Sequence, residues 1–237
     1  MTDPRPEGTP VRDFVAPPPP GPGRLAGRFV TLERIDAAAH AGDIFSASVG
    51  ADTLWDYMPY GPFGDAATYA DWMAGMAQKS DPFFYAIRDH ATGHVTGLAS
   101  FLRIDPTHGA IELGHILLTP ALQRTVAATE ALTLMIRWAM DAGYRRFKWK
   151  CNALNAPSRR AAIRLGFSFE GVFRQHMIVK GRNRDSAWFS ILDGEWPALR
   201  AAYDRWLAPA NFDANGAQRL SLSDLTAAAL PNRRDPG

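Results

Sequence analysis

Glu112-Leu113-Gly114-His115-Ile116-Leu117-Leu118-Thr119-Pro120, then Gln123-Arg124-Thr125-Val126-Ala127-Ala128-Thr129-Glu130, then Asn155-Ala156-Pro157-Ser158 through Glu170-Gly171, decide the fold of this chain. The apolar run from Glu112 reads as a strand, and Thr119-Pro120 as a sharp turn. Residues from Gln123 open a long helix. After another strand, Asn155-Ala156-Pro157-Ser158 opens a shorter helix that stops at Gly166-Phe167. A helix that begins straight after a strand points free backbone N–H groups at whatever lies there, which makes a ready anion site. Residues 112–171 are therefore where a phosphate-bearing ligand is expected to dock.

Working outward, residues 28–34 alternate as a strand. Asp36 caps a helix to about Ser48, and Asp65 caps another with Tyr69, Trp72, Met73 and Met76 on one face. Between these helices lies an aromatic loop, residues 54–63. Strands are expected at 83–88, 95–104 and 110–118, with turns at 89–93 and 105–109. The long helix runs from Gln123 to about Ala142, followed by a strand at 147–151 and the short helix at 156–165. Gly166 suits the left-handed C-terminal cap of that helix. Strands at 169–179 and 186–192 are joined by a turn over 180–185, and a last long helix spans 195–207. A short helix near 223–229 follows. The order predicts an α/β (α+β) fold: a mixed, mostly antiparallel central sheet with helices on both faces and one α/β crossover in its centre.

Three segments follow from composition. Residues 1–26 form a proline-rich arm, since eight of the eighteen prolines fall before residue 25. This arm is free to lie on the domain or on a partner, and a simple tail is the plainer reading. Residues 27–207 form the folded domain and 208–237 an extension.

The 237 residues are 46% hydrophobic, enough for one full core. The net charge of +2 gives no general argument for nucleic acid or an anionic membrane. No apolar run is long enough to span a bilayer, and the first seven residues lack the apolar core of a signal peptide. Cys151 is the only cysteine, so no internal disulfide and no cysteine-based metal site is expected. A cytoplasmic protein with a reduced, buried thiol is the resulting expectation. The sequence leaves a monomer and a homodimer both open.

The element order and the local residues resemble the GCN5-related N-acetyltransferases, most closely the branch that acetylates N-termini of ribosomal proteins. The resemblance spans residues 27–207. It is carried by Asn155-Ala156-Pro157-Ser158, Gly166-Phe167, Glu170-Gly171, Glu112-Leu113-Gly114-His115, Asp185 before a strand, and Glu195-Trp196. One departure stands out. The family's pyrophosphate loop reads Gln/Arg-x-x-Gly-x-Gly/Ala, and here Val126 replaces the first glycine. A Cβ there crowds the phosphates, yet helical φ/ψ needs no glycine and the N–H donors survive.

The resemblance implies acetyl transfer from acetyl-coenzyme A to an amine, by direct attack and with no metal. The acceptor is a small-molecule amine or a peptide N-terminus. A non-catalytic acyl-coenzyme A-binding or protein-interaction module is the rival reading, motivated by Val126 and by Met177, which stands where some relatives place a proposed glutamate base. On the resemblance, Ile116, Leu117 and Leu118 meet the pantetheine arm, and Gln123, Arg124, Thr125, Val126, Ala127, Ala128 and Thr129 meet the pyrophosphate. Asn155 bonds the pantetheine arm or merely caps its helix. Arg159 meets the 3′-phosphate or lies on a solvated helix face. Ser158 is the implied general acid, against the plain reading of a first-turn serine.

Glu112 is the first candidate for the base. A carboxylate in an apolar strand needs a partner or a purpose, and an arginine-paired structural carboxylate is the competing explanation. Strict alternation puts Glu112, Gly114 and Ile116 on one face and Leu113, His115 and Leu117 on the other. His115 and His176 are rival titratable groups, with a packed ring the plainer reading of His115. Trp55, Tyr57, Tyr60 and Phe63, with the 180–185 turn, are expected to shape the acceptor pocket. The loop's only charge, Asp56, favours a cationic amine end.

Overall fold

The computed structural model describes residues 7–233. The first six residues of the expected arm and the last four of the expected extension lie outside the described residues. The strands are β1 (Arg24–Ala26), β2 (Val30–Arg34), β3 (Phe83–Asp89), β4 (Val95–Asp105), β5 (Ala110–Leu118), β6 (Arg146–Asn152), β7 (Ser168–Val179) and β8 (Arg182–Leu192). The helices are α1 (Ala37–Ser48), α2 (Ala66–Ala77), α3 (Val126–Asp141), α4 (Ala156–Arg164), α5 (Trp196–Leu207) and α6 (Leu222–Ala229). The strands form one sheet in the order β1-β2-β3-β4-β5-β6-β8-β7, in which β5 and β6 run parallel and the other neighbours antiparallel.

Alternation explains the two layers. In β6, Phe147, Trp149 and Cys151 enter the main core, so Lys148 and Lys150 turn to the other face. That main core lies under α3, α4, α5 and α6. A second apolar cluster on the opposite face takes Ile44 from α1, Tyr69 and Met73 from α2, and Phe84 and Leu98 from the sheet. The predicted caps form: Asp36 accepts from the Ala39 amide at 2.9 Å and Asp65 from Thr68 at 2.7 Å. Each contributes about 1 kcal/mol.

Three boundaries differ from the sequence reading. First, α3 begins at Val126, not Gln123, because Thr125 is the N-cap and accepts from the Ala128 amide at 3.0 Å. Second, the β7–β8 connection is a two-residue turn, Lys180-Gly181, both at positive φ. This is the geometry that follows the twist of a hairpin, and it moves residues 182–185 into β8. Third, β1 falls inside the stretch assigned to the arm. Pro17 and Pro20 are buried, and the Tyr144 and Tyr85 hydroxyls donate to the carbonyls of Pro18 (3.0 Å) and Pro22 (2.8 Å). Residues 17–22 of the arm thus pack on the domain, while residues 7–16 are exposed.

Glu130 fixes the β1–β2 turn. Its carboxylate accepts from the amides of Arg28 (2.9 Å), Phe29 (2.6 Å) and Val30 (3.1 Å). A Cβ at Gly27 would fall on that carboxylate, so glycine is required there for space. The C-terminal extension also joins the domain. Leu222 of α6 is fully buried in the main core, and the Thr226 hydroxyl donates to the Arg164 carbonyl at 3.2 Å.

Candidate functional site

The sheet opens where its parallel pair ends. β5 and β6 are paired from Ala110↔Arg146 to Leu113↔Trp149 and then part. The free side of β5 beyond Leu113, the start of α3 and the start of α4 all border this opening.

β5 bulges as it leaves. Ser100 pairs with Gly114 and Leu98 with Leu117, so β5 carries one extra residue there, and His115 sits at φ +50°. The bulge reverses the alternation. Leu113 and Ile116 both pack on the main core, whereas Leu117 joins the second cluster on the face that Glu112 shares. His115 follows Leu117: its ring stacks on Tyr60 at 5.6 Å and meets Phe84 at 5.1 Å. The strict alternation expected from the sequence is therefore corrected, and His115 stands on the same face as Glu112. Burial, reinforced by the positive charges of Arg103, Lys150 and Arg184, pushes its pKa down to about 4. The ring is neutral at pH 7, with Nδ1 3.1 Å from the Tyr60 hydroxyl.

Glu112 is only 2% exposed. Its Oε1 accepts from Arg103 Nη1 at 2.7 Å, while Oε2 is buried with no partner among the described residues. Burial raises its pKa and outweighs the opposing pull of Arg103, Lys150 and Lys148. Lys150 lies 5.2 Å above the Trp188 ring, and burial brings its pKa down to about 8. Trp188 Nε1 and Arg184 Nε are buried donors without partners among the described residues.

On the other side of the opening, α3 presents its first amides. Those of Val126 and Ala127 have no partner among the described residues, whereas Ala128 is held by the Thr125 cap. Val126 is half-buried with its side chain against the main core, and Ala127, Ala128 and Thr129 are buried. Gln123 Nε2 donates to the Leu118 carbonyl at 2.9 Å, which ties the turn to β5, and Arg124 is exposed at φ +62°. Ile116 and Leu118 pack on the main core, and Leu117 is buried in the second.

At α4, Asn155 Oδ1 accepts from the Ser158 amide at 3.1 Å, as a cap, and leaves its side-chain N–H2 free among the described residues. Trp149 Nε1 donates to Ser158 Oγ at 3.0 Å, which leaves the serine proton available to another acceptor. Arg159 reaches the Ala153 carbonyl at 3.4 Å, and Arg164 Nη1 donates to Thr129 Oγ1 at 3.1 Å, so α3 and α4 are held together. These groups fit an acyl-coenzyme A: an unpaired strand edge, free helix-start amides, and cations at the periphery.

The expected acceptor residues divide. Trp55 is 4% exposed and packs edge-on against Tyr60, Phe63 and Tyr69, and Tyr60 is largely buried between Trp72 and His115. These rings build the core under the site. Tyr57 is at the rim, its hydroxyl donating to the Leu154 carbonyl at 3.2 Å. His176 on β7 lies 2.9 Å from Ser186 Oγ and 5.8 Å from the Trp188 ring, beside a cavity of about 630 Å³ lined by Phe173, Arg174, Gln175 and His176. Sequence reasoning missed Arg103, Trp149, Lys150, Arg184 and Trp188. The alternating Lys148 and Lys150 were a visible signal of an exposed polar face on β6, but nothing in the sequence aligned that face with Glu112. No group of three metal-ligating side chains occurs among the described residues.

A splayed parallel pair beside a capped helix start, with a buried carboxylate on the strand, is the arrangement expected of an acyltransferase built on a mixed sheet. The comparisons agree. The model of the GNAT acetyltransferase domain matches residues 30–168. A GCN5-related N-acetyltransferase from Brucella melitensis superposes with a TM-score of 0.89 at 44% identity, over 91% of this chain and 99% of that one. A probable acetyltransferase of the GNAT family from Chromobacterium violaceum gives 0.77 at 38% identity, over 84% and 100%. The ribosomal-protein-serine acetyltransferase of Escherichia coli is 32% identical over 79 residues, 33% of this chain and 44% of that relative, so the match spans less than half of the curated relative's length. The chain belongs to the GNAT acetyltransferase family.

Proposed function

We propose that this protein moves an acetyl group from acetyl-coenzyme A to an amine by direct attack of the nitrogen. The buried Glu112 carboxylate, with one oxygen unpartnered among the described residues and carried on the strand that borders the β5–β6 opening, carries the reading. Acetyl-coenzyme A supplies the activated acetyl group as a thioester. Ile116, Leu117 and Leu118 offer it a strand edge. The Val126 and Ala127 amides offer a phosphate its donors, and the Asn155 side-chain amide offers a further donor. Arg124 and Arg159 add positive charge nearby. Glu112 takes the proton of the acceptor ammonium, directly or through water, and its raised pKa suits that task. Ser158, polarised by the Trp149 indole, gives a proton to the leaving thiolate. The acceptor is a small-molecule amine or a peptide N-terminus, and the lone buried thiol of Cys151 fits a cytoplasmic protein.

Free thiol release, measured with acetyl-coenzyme A over a panel of amines and short peptides, tests the proposal. Calorimetry of coenzyme A binding accompanies it. Release with at least one amine is expected. Binding without release from any amine favours the non-catalytic module, and absence of both overturns the reading.

A further inference from the structure

The charge around Glu112 narrows the acceptor further; this step rests on the acetyl-transfer reading above. Arg103, Lys148, Lys150 and Arg184 all act on Glu112 or on its neighbour His115 through their charge. Glu112 neutralises one of them, Arg103. The other nearby carboxylates are engaged elsewhere: Asp81 accepts from the Arg103 and Ile104 amides, and Asp105 from His108. Among the described residues Lys148, Lys150 and Arg184 form no ion pair.

Three of the groups in this patch are donors in want of an acceptor. Lys150 and Trp188 are directly paired across β6 and β8, with the ammonium over the indole ring. Trp188 Nε1 and Arg184 Nε are buried and unpartnered among the described residues. A buried donor without an acceptor is costly, so a patch holding two such donors and a loose ammonium is matched to an acceptor-rich, negatively charged group. The open depression lined by Phe173, Arg174, Gln175 and His176 adjoins the patch through Phe173 and His176, whose rings both pack on Trp188, and leaves room for the body of a small acceptor.

We infer that the acceptor is an amine carrying a carboxylate close to its nitrogen, with Lys150, Arg184 and Trp188 Nε1 taking the carboxylate and Glu112 facing the amine. The same cations repel a bare polyamine or a lysine side chain, and they lower the pKa of any ammonium held beside them, which eases its deprotonation. This reverses the cationic preference that Asp56 alone suggests from the sequence. The carboxylate is either the α-carboxylate of a free amino acid or an acidic side chain next to a peptide N-terminus.

Two matched pairs separate these sources in the 237-residue chain: an amino acid against its amide, and a Ser-Asp-Ala amide peptide against Ser-Asn-Ala amide. The carboxylate member of at least one pair is expected to show a KM about tenfold lower. Lys150→Met, which keeps the aliphatic stem over Trp188, and Arg184→Gln should each reduce that ratio to about twofold or less. Neutral members used equally well in both pairs, or a ratio unchanged in both variants, would overturn the inference. Calorimetric titration of the same four acceptors reads the discrimination without turnover. Carboxylate binding that is lost in Lys150→Met supports the inference even if no acetyl is transferred. Failure of the folded protein to bind either carboxylate member sinks it even if another amine is acetylated.

Discussion

Glu112 and Arg103 meet at 2.7 Å through Oε1 and Nη1, yet the second oxygen of the same carboxylate is buried without a partner among the described residues. The ion pair therefore leaves one carboxylate oxygen uncommitted. On the proposed role, Glu112→Gln should lower kcat about 100-fold or more while changing the affinity for acetyl-coenzyme A by less than about threefold. Stopped thiol-release assays and calorimetry on one preparation check this, and equal losses in both would identify a structural carboxylate.

Arg103 makes the pH dependence testable. The base form of Glu112 exists above its pKa, so kcat/KM should fall as pH drops through that raised value. Arg103 holds the pKa down against burial. Arg103→Gln removes that pull, so the acidic limb of the profile should move to higher pH. A limb that stays in place would assign it to another group.

Val126 decides how well the phosphate half of the site works. Its side chain packs on the main core while its amide remains free. Val126→Gly should therefore destabilise the fold by about 1 kcal/mol and leave the coenzyme A affinity within about threefold. Chemical denaturation and calorimetry read the two effects separately. Tightening of about tenfold or more would show that the valine obstructs the phosphates.

The sequence carried the scaffold of this site further than its chemistry. Asp36, Asp65 and Asn155 announce their helices because a short polar side chain before an apolar period caps the first free amides. Those signals are local, and the structure realises each one. The orientation of His115 was not legible. It depends on one extra residue in β5 opposite β4, and a bulge leaves no mark in the alternation of a single strand. The start of α3 is hidden for a related reason: Gln123-Arg124-Thr125 holds no glycine or proline to break a helix, whereas the cap that ends the turn depends on how the Thr125 hydroxyl is aimed. The cationic patch was illegible because Arg103, Lys150 and Arg184 come from three strands. Arg184 was further hidden by a hairpin turn shorter than its glycine and asparagine implied.

His115 links the site to stability. Its folded pKa, about 4, lies below the ordinary histidine value of 6.5, so between those limits the unfolded chain binds more protons than the folded one. Stability from this group is present above about pH 6.5 and is lost as pH falls toward 4, by about 2–3 kcal/mol in all. Glu112, raised in the folded state by burial, acts in the opposite sense as pH rises above the ordinary carboxylate range, so the measurement is a difference. Urea unfolding at pH 7 and pH 4.5 should show a smaller pH-dependent loss for His115→Gln than for the parent. An identical loss in both would mean that the ring is already solvated.

Glu130 is the clearest structural carboxylate in the same helix that opens the phosphate half of the site. Three amides, of Arg28, Phe29 and Val30, donate to it, and Gly27 leaves space for it. Glu130→Ala strands these donors and should cost about 3 kcal/mol. Gly27→Ala should be comparably damaging in the parent, because its methyl falls on the carboxylate. In the Glu130→Ala background that methyl meets empty space, so the two losses should not add: the double variant should be closer in stability to Glu130→Ala alone. Denaturant midpoints of the four proteins test this, and strict additivity would show that the methyl and the Glu130 carboxylate do not compete for the same space.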